Sequence, residues 1–232
     1  SRLVRRRRKA GLYKMADRLA SIHGTEQDRV NCPFYFKVGA CRHGDRCSRQ
    51  HNKPLFSQTV LLSHMYQTPT SATMAQGPTS LQGASDDKDA QEHFDDFYEE
   101  IYEELDKFGK IDEINVCANL GDHMIGNVYV KYEEEEDAEK AITALNGRFY
   151  AGRLIMAEYS PVTDFRESRC RQYEESQCKY GGHCNFMHIR RPCKDVCKRL
   201  GIRATYEPAR GGGGGGGGGG RGGYGGDRMG YG

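Results

Sequence analysis

"CPFYFKVGACRHGDRCSRQH", residues 32–51, carries three cysteines and a histidine at the spacing C-x8-C-x5-C-x3-H: Cys32, Cys41, Cys47 and His51. Four nitrogen and sulfur donors this close in sequence suit a closed tetrahedral zinc site, with no position left for a catalytic water. Zinc also accounts for how so short a segment folds. About twenty residues bury too little apolar surface, whereas structural zinc binding in finger peptides contributes roughly 10–16 kcal/mol at neutral pH. The pattern then recurs: Cys170, Cys178, Cys184 and His188 stand at C-x7-C-x5-C-x3-H, one residue shorter in the first gap. That duplication argues against isolated buried or reactive thiols. It predicts two fingers, over residues 26–54 and 164–191, each holding one structural Zn2+.

Cysteine usage agrees. Nine cysteines are an odd number, and the basic start "SRLVRRRRKAGLYK" lacks the apolar core of a secretory signal. Thiolates in a reducing compartment point to metal rather than a disulfide framework. Residues 1–14 form a basic extension. It reads either as sequence upstream of a natural start at Met15 or as a nuclear-localisation or nucleic-acid-binding arm. No run of 18 or more apolar residues occurs, so no membrane-spanning helix is expected.

Between the ligands lie aromatics and cations. Phe34, Tyr35, Phe36, Arg42, Arg46 and Arg49 belong to the first stretch; Arg171, Tyr173, Lys179, Tyr180 and Phe186 belong to the second. Unpaired bases stack on aromatic planes, and guanidinium groups hold phosphates or stack on bases. Some of these aromatics must instead pack around the metal, and spacing does not say which. The Cys-Cys-Cys-His spacing resembles that of the CCCH fingers that bind short single-stranded RNA.

The region between the fingers has a different character. "TVLLSHMY" (59–66) reads as a buried strand, followed by a Thr/Ser/Gln/Gly-rich stretch over about 67–88 that is expected to be flexible. "DAQEHFDDFYEEIYEELDKFG" places Phe94, Phe97, Tyr98, Ile101, Leu105 and Phe108 at helical spacing. Strands "KIDEINVCANL" and "MIGNVYVKY", a second helix "EEEEDAEKAITALNG" and a last strand "RLIMAEY" complete the order βαββαβ. An α+β RNA-recognition-motif fold over residues 57–160 is expected, flanked by the two fingers. Its strand signature K/R-G-F/Y-G/A-F-V-x-F/Y appears here as Ile125-Gly126-Asn127-Val128-Tyr129-Val130-Lys131-Tyr132. The basic first position and the first stacking aromatic are gone. Leu61 also stands where the first strand usually offers a second aromatic.

Charge separates the parts further. Residues 1–53 hold 14 Lys/Arg against 4 Asp/Glu, a net +10; residues 86–140 hold 5 against 20, a net −15. Residues 161–210 hold 11 against 6, a net +5. A polyanion suits the flanks, whereas binding phosphates to the acidic centre is unfavourable. The centre therefore reads as a protein-binding variant. "NGRFYAGR" puts Arg148, Phe149 and Tyr150 in a turn near the first helix, which offers Glu99, Glu100, Glu103 and Glu104. An exposed aromatic beside carboxylates suits a partner with a large apolar anchor and neighbouring basic residues. A solvated acidic helix with the aromatic tucked into the core is the other reading of the same residues.

The order finger, divergent motif, finger, with "GACRHGDRCSRQHNKP", "NVCANLGDHMIGNVYVKY", "SPVTDFRE" and "CNFMH", closely resembles the small subunit of the U2 snRNP auxiliary factor, from about Met15 to Arg191. The resemblance implies a nuclear, non-catalytic pre-mRNA splicing factor whose fingers together read the AG dinucleotide at the 3′ splice site. It implies that the central domain is a U2AF-homology motif. Such a motif grips a Trp-containing peptide of a large subunit, making a heterodimer among other spliceosome components. Carried over residue by residue, Phe34, Arg42, Ser48, Arg49, Arg171 and Phe186 match RNA-contacting positions, and Arg148, Phe149 and Tyr150 match the peptide-gripping turn. No Trp occurs in this chain, so the anchoring Trp must come from another one. The chain departs from the family in its last residues. Residues 211–232 are almost entirely Gly where an arginine/serine-rich tail is usual, and their composition predicts disorder.

Two other functions fit parts of this pattern. A CCCH regulator of mRNA turnover or processing would bind sequences rich in A and U. A metal-dependent nuclease would need open coordination positions and clustered oxygen ligands, which neither cysteine site nor the helix-borne carboxylates supply. Cys193 and Cys197 do not complete a ligand set and read as packing thiols; Cys117, in an apolar strand, reads as core.

Overall fold

The computed structural model describes residues 30–68 and 86–202. The basic extension over 1–14, most of the expected flexible insert and the Gly-rich tail over 211–232 lie outside the described residues. None of the described helices is long and apolar enough to cross a membrane.

Four strands make the central sheet: β1 (Thr59–Leu62), β2 (Ile111–Cys117), β3 (Val128–Tyr132) and β6 (Ala157–Tyr159). A fifth, β7 (Ile189–Arg190), comes from the end of the second finger, and the order is β6-β1-β3-β2-β7 with every pairing antiparallel. Alternation along each strand sorts the side chains. Val60, Leu62, Val116, Val128, Val130 and Tyr132 face one side and join the main core. Two helices close that side. α2 (Asp86–Asp106) contributes Phe94, Phe97, Tyr98, Ile101 and Leu105, all at most 5% exposed; α3 (Glu135–Leu145) contributes Ala138, Ala141 and Leu145. Glu135, Glu136 and Asp137 in the first turn of α3 favour its N-terminal dipole end.

The other face is also buried. Leu61, Cys117 and Tyr129 pack with Val38 and Ala40 of the first finger and Met187 and Ile189 of the second. Met124, ahead of β3, and Val162 and Phe165, ahead of the first ligand of the second finger, complete this cluster. This is the face on which an RNA-recognition motif usually stacks bases, and here Tyr129 is 0% exposed beneath the fingers. Both aromatics that survive in the strand signature are core residues, Tyr129 on this face and Tyr132 on the other. Gly39 shows how tight the seat is: its φ is +76°, and a Cβ there would lie 2.7 Å from Ser160 Oγ and 2.8 Å from Tyr129 Cε1. Only glycine meets both requirements.

Three sequence expectations are corrected. The expected last strand over 153–159 is two pieces. β4 (Phe149–Tyr150) and β5 (Arg153–Leu154) form a separate hairpin, and only Ala157–Tyr159 joins the sheet. Ala151 and Gly152 both take positive φ (47° and 76°), the conformation of a two-residue hairpin turn whose twist matches its strands. Arg148, Phe149 and Tyr150 therefore lead into and form a hairpin strand rather than a turn. The first helix begins at Asp86, inside the stretch expected to be flexible. β1 stops at Leu62, where Ser63 and His64 turn and His64 adopts a φ of 52°.

Candidate metal centres and nucleic-acid interface

Each finger is built the same way. Cys32 precedes α1 (Pro33–Val38), whose proline stands in the first turn, where a missing N–H costs nothing. Cys170 precedes α5 (Arg171–Glu175), the short α4 (Phe165–Ser168) lying just before it. A 3-10 turn, Gly44–Arg46 or Gly181–His183, then carries the chain to the third cysteine. Isolated parallel bridges, Asn31 with Gln50 and Arg169 with Met187, bring each ligand histidine back to its first cysteine.

The ligand atoms of Cys32, Cys41, Cys47 and His51 all lie within 4.8 Å of one another, as do those of Cys170, Cys178, Cys184 and His188. Sulfur–sulfur separations are 3.9 Å for Cys41–Cys47, 3.6 Å for Cys170–Cys178 and 3.8 Å for Cys170–Cys184. Zinc–sulfur bonds of about 2.3 Å at tetrahedral angles place sulfurs about 3.8 Å apart. His51 Nε2 and His188 Nε2 are buried with no hydrogen-bond partner. Burial pushes the Cys41 thiol up to about 11 and the Cys184 thiol up to about 12, so one thiol in each set ionises only with a cation beside it. Donor set, spacing and orphaned imidazole nitrogens all fit zinc, and four protein ligands make each site structural.

The structure sorts the aromatics that spacing left open. Tyr35 stacks on His51 at 4.6 Å between centroids and 12° between planes, and Tyr173 stacks on His188 at 4.1 Å and 9°. Both tyrosines stand three residues after a first cysteine, and both brace a ligand imidazole. Phe34 and Phe186 instead face solvent, 37% and 38% exposed, and meet each other edge to face at 6.0 Å. Arg42, Ser48, Arg49 and Arg171 are exposed as well. Of the six candidate RNA contacts, the structure brings Phe34 and Phe186 into direct contact and leaves the four polar ones at the surface.

Sequence patterns miss what seats the second finger. Asn119 is 1% exposed at the end of β2. Its amide donates to Cys184 O at 3.1 Å and Phe186 O at 3.0 Å, and its carbonyl oxygen accepts from His188 N at 2.8 Å. Arg169, just before the first ligand of this finger, bonds Glu113 and reaches Asn115 Oδ1 at 3.1 Å on β2. Its side chain is 11% exposed. The signal in the sequence is slight: a polar residue closing an apolar strand in "NVCANLGD", and an arginine beside a ligand.

On the acidic side, Tyr150 donates its hydroxyl to Glu100 Oε2 at 2.7 Å, and its ring meets Phe97 edge to face at 6.0 Å. Burial, then this hydrogen bond, raises its pKa. Arg148 pairs with Glu104 at 2.6 Å, and Lys107 and Arg148 together hold that carboxyl below its ordinary value. Phe149 points outward, 71% exposed, and Glu103 is exposed on the same helix. Glu99 is engaged differently: Arg199 of α6 (Lys194–Arg199) pairs with it at 2.5 Å. That helix docks on the core through Val196, 1% exposed, with Cys193 packed against the same cluster.

Comparison with known proteins follows the same division. The RNA recognition motif family matches residues 98–156, and the zinc finger C-x8-C-x5-C-x3-H type (and similar) family matches 27–53 and 165–190. The chain is 60% identical over 187 residues to a U2af small-subunit splicing factor of Arabidopsis thaliana, covering 80% of this chain and 65% of that protein. It is 57% identical over 187 residues to the splicing factor U2AF 26 kDa subunit of Bos taurus, covering 80% of this chain and 84% of that one. The chain thus spans a little under two thirds of the plant relative's length. The solved RNA15 RRM overlaps 45% of this chain and 91% of that one at 16% identity, with a TM-score of 0.28, too slight a likeness to add to the fold.

Proposed function

Because the chain belongs to the U2AF small-subunit family of splicing factors, we propose that it reads the AG dinucleotide of the 3′ splice site in pre-mRNA, as the smaller partner of a nuclear heterodimer. The observation that carries this reading is the Phe34–Phe186 contact, which joins the solvent-facing aromatics of two fingers that also carry the exposed Arg42, Arg49 and Arg171. Unpaired bases stack on such aromatics while Arg42, Ser48, Arg49 and Arg171 supply hydrogen bonds and charge. Zinc holds each finger rigid; it takes no part in chemistry. The sheet, whose outer face is covered by the fingers, serves as their support rather than as an RNA platform.

The acidic helix and hairpin form the second working surface. Phe149 offers an exposed ring, Glu100 and Glu104 bond Tyr150 and Arg148 beside it, and Glu103 is exposed on the same helix. A large-subunit peptide carrying a Trp and adjacent basic residues matches both features. Linking the large partner's own RNA contacts to the fingers raises specificity through effective concentration, since two nucleotides alone specify little.

The test is fluorescence anisotropy at fixed salt with oligonucleotides ending in UAG and UAC, with and without a Trp-bearing peptide and beside a Cys41→Ser variant. A zinc-dependent preference for UAG, strengthened by the partner, is expected. Equal binding of UAG and UAC in every state would overturn the reading.

A further inference from the structure

Counted from the second ligand of each finger, Cys41-Arg42-His43-Gly44 corresponds to Cys178-Lys179-Tyr180-Gly181. The two segments enter the same 3-10 turn, with Gly44 and Gly181 at φ 49° and 52°. Finger 2 therefore presents a lysine and a tyrosine where finger 1 presents Arg42 and His43. Tyr180 is 62% exposed and belongs to none of the apolar clusters of the described residues. The Lys179 ammonium lies 5.0 Å from its ring centroid.

The loop between β2 and β3 connects these two turns. Leu120 N donates to Gly182 O at 2.8 Å, and a Cβ on Gly182 would come within 2.6 Å of Leu120 Cγ, so the leucine lies directly on the finger 2 turn. Its side chain is nonetheless 58% exposed. Three residues further, His123 lies within electrostatic reach of Arg42 and His43 on the finger 1 turn. One short loop thus has the Arg42 turn at one end and the Tyr180 turn at the other, with Ile125 exposed beside it.

We propose that Lys179 and Tyr180, with Leu120 as an apolar shelf, form a further nucleotide subsite for single-stranded RNA, taking a base that flanks the dinucleotide. This rests on the RNA-reading function proposed above and extends its footprint from Arg42 across the loop. The ring offers a base a stacking face of any sequence, and the adjacent ammonium draws in the phosphate. Nothing in the packing of the finger uses Tyr180, so its removal leaves the zinc site and the Phe34–Phe186 contact untouched.

The experiment compares the full chain, zinc-loaded, with Tyr180→Ala, Tyr180→Phe and Lys179→Ala. Each binds a UAG trinucleotide and RNAs extended by three nucleotides on the 5′ or the 3′ side. Tyr180→Ala should lose about tenfold in affinity for one of the extended RNAs and bind the trinucleotide unchanged. Tyr180→Phe should bind like the parent, and Lys179→Ala should flatten the salt dependence on that RNA by roughly 0.7 in slope. Unchanged binding of both extended RNAs by Tyr180→Ala, or an equal loss on the trinucleotide, overturns the subsite. If the parent fails to distinguish UAG from UAC while Tyr180→Ala still weakens an extended RNA, the dinucleotide reading falls and the subsite stands.

Discussion

Phe34 and Phe186, one from each finger, meet with ring centroids 6.0 Å apart and planes at 66°. The contact joins segments that lie on opposite sides of the central domain in sequence. Substituting either ring by alanine should weaken RNA binding by about tenfold, the scale of one lost base stack. Because the rings touch, the double substitution should cost less than the product of the two single effects. Anisotropy on all four proteins checks this; strict multiplicativity would mean that the rings act on RNA independently.

Metal removal should reach beyond the fingers. Val38 and Ala40 of the first finger cover Leu61 and Tyr129 of the sheet. A Cys41→Ser protein should retain one zinc of two by elemental analysis and lose about 2 kcal/mol or more of stability in denaturant unfolding, the scale of one large apolar side chain uncovered. Unchanged stability would show that the finger rests on the sheet without supporting it.

Phe149 separates stability from binding. With its ring 71% exposed, Phe149→Ala should change folding stability by no more than about 0.5 kcal/mol. Titration calorimetry with a Trp-bearing basic peptide should show a loss of about 2 kcal/mol, near thirtyfold. Full-strength binding by the variant would place the peptide elsewhere.

Glu104 gives a pH dependence of known sign. Lys107 and Arg148 hold its carboxyl below the ordinary value. A carboxyl whose pKa is depressed by folding contributes stability above its unfolded value and loses it as pH falls through the folded one. The window therefore lies at and below the ordinary carboxylate range, about 4.3. With the side chain 31% exposed, the contribution is under about 1 kcal/mol. Glu104→Gln should be slightly less stable than the parent at pH 7, and the gap should close by pH 3. A gap that is constant with pH would assign the loss to packing instead.

Asn119 bonds three backbone groups of the second finger from a buried position. Asn119→Ala leaves those groups unsatisfied and should cost about 2–3 kcal/mol. Hydrogen exchange should accelerate at His188 and its neighbours while α3 stays protected.

Local spacing carried the metal sites, since ligand identity and distance along the chain are sequence properties. Strand and helix periodicity carried the main core for the same reason: Phe94, Phe97, Tyr98, Ile101 and Leu105 face the sheet as their spacing predicts. What the sequence did not carry depends on contacts between distant segments. The seating of the fingers on Leu61 and Tyr129, β7 on the sheet edge and the Arg199–Glu99 pair each join residues far apart in the chain. The division of Phe34 from Tyr35 follows from helix phase around a metal, where adjacent positions point about 100° apart. Tyr150 shows the limit in a single residue. Its hydroxyl needed a partner, and only the folded hairpin brings Glu100 within 2.7 Å.

Tyr129 lies at 0% exposure under elements of both fingers. A ring shared in this way gives both fingers one support, so lifting either finger loosens the seat of the other while its own zinc stays bound.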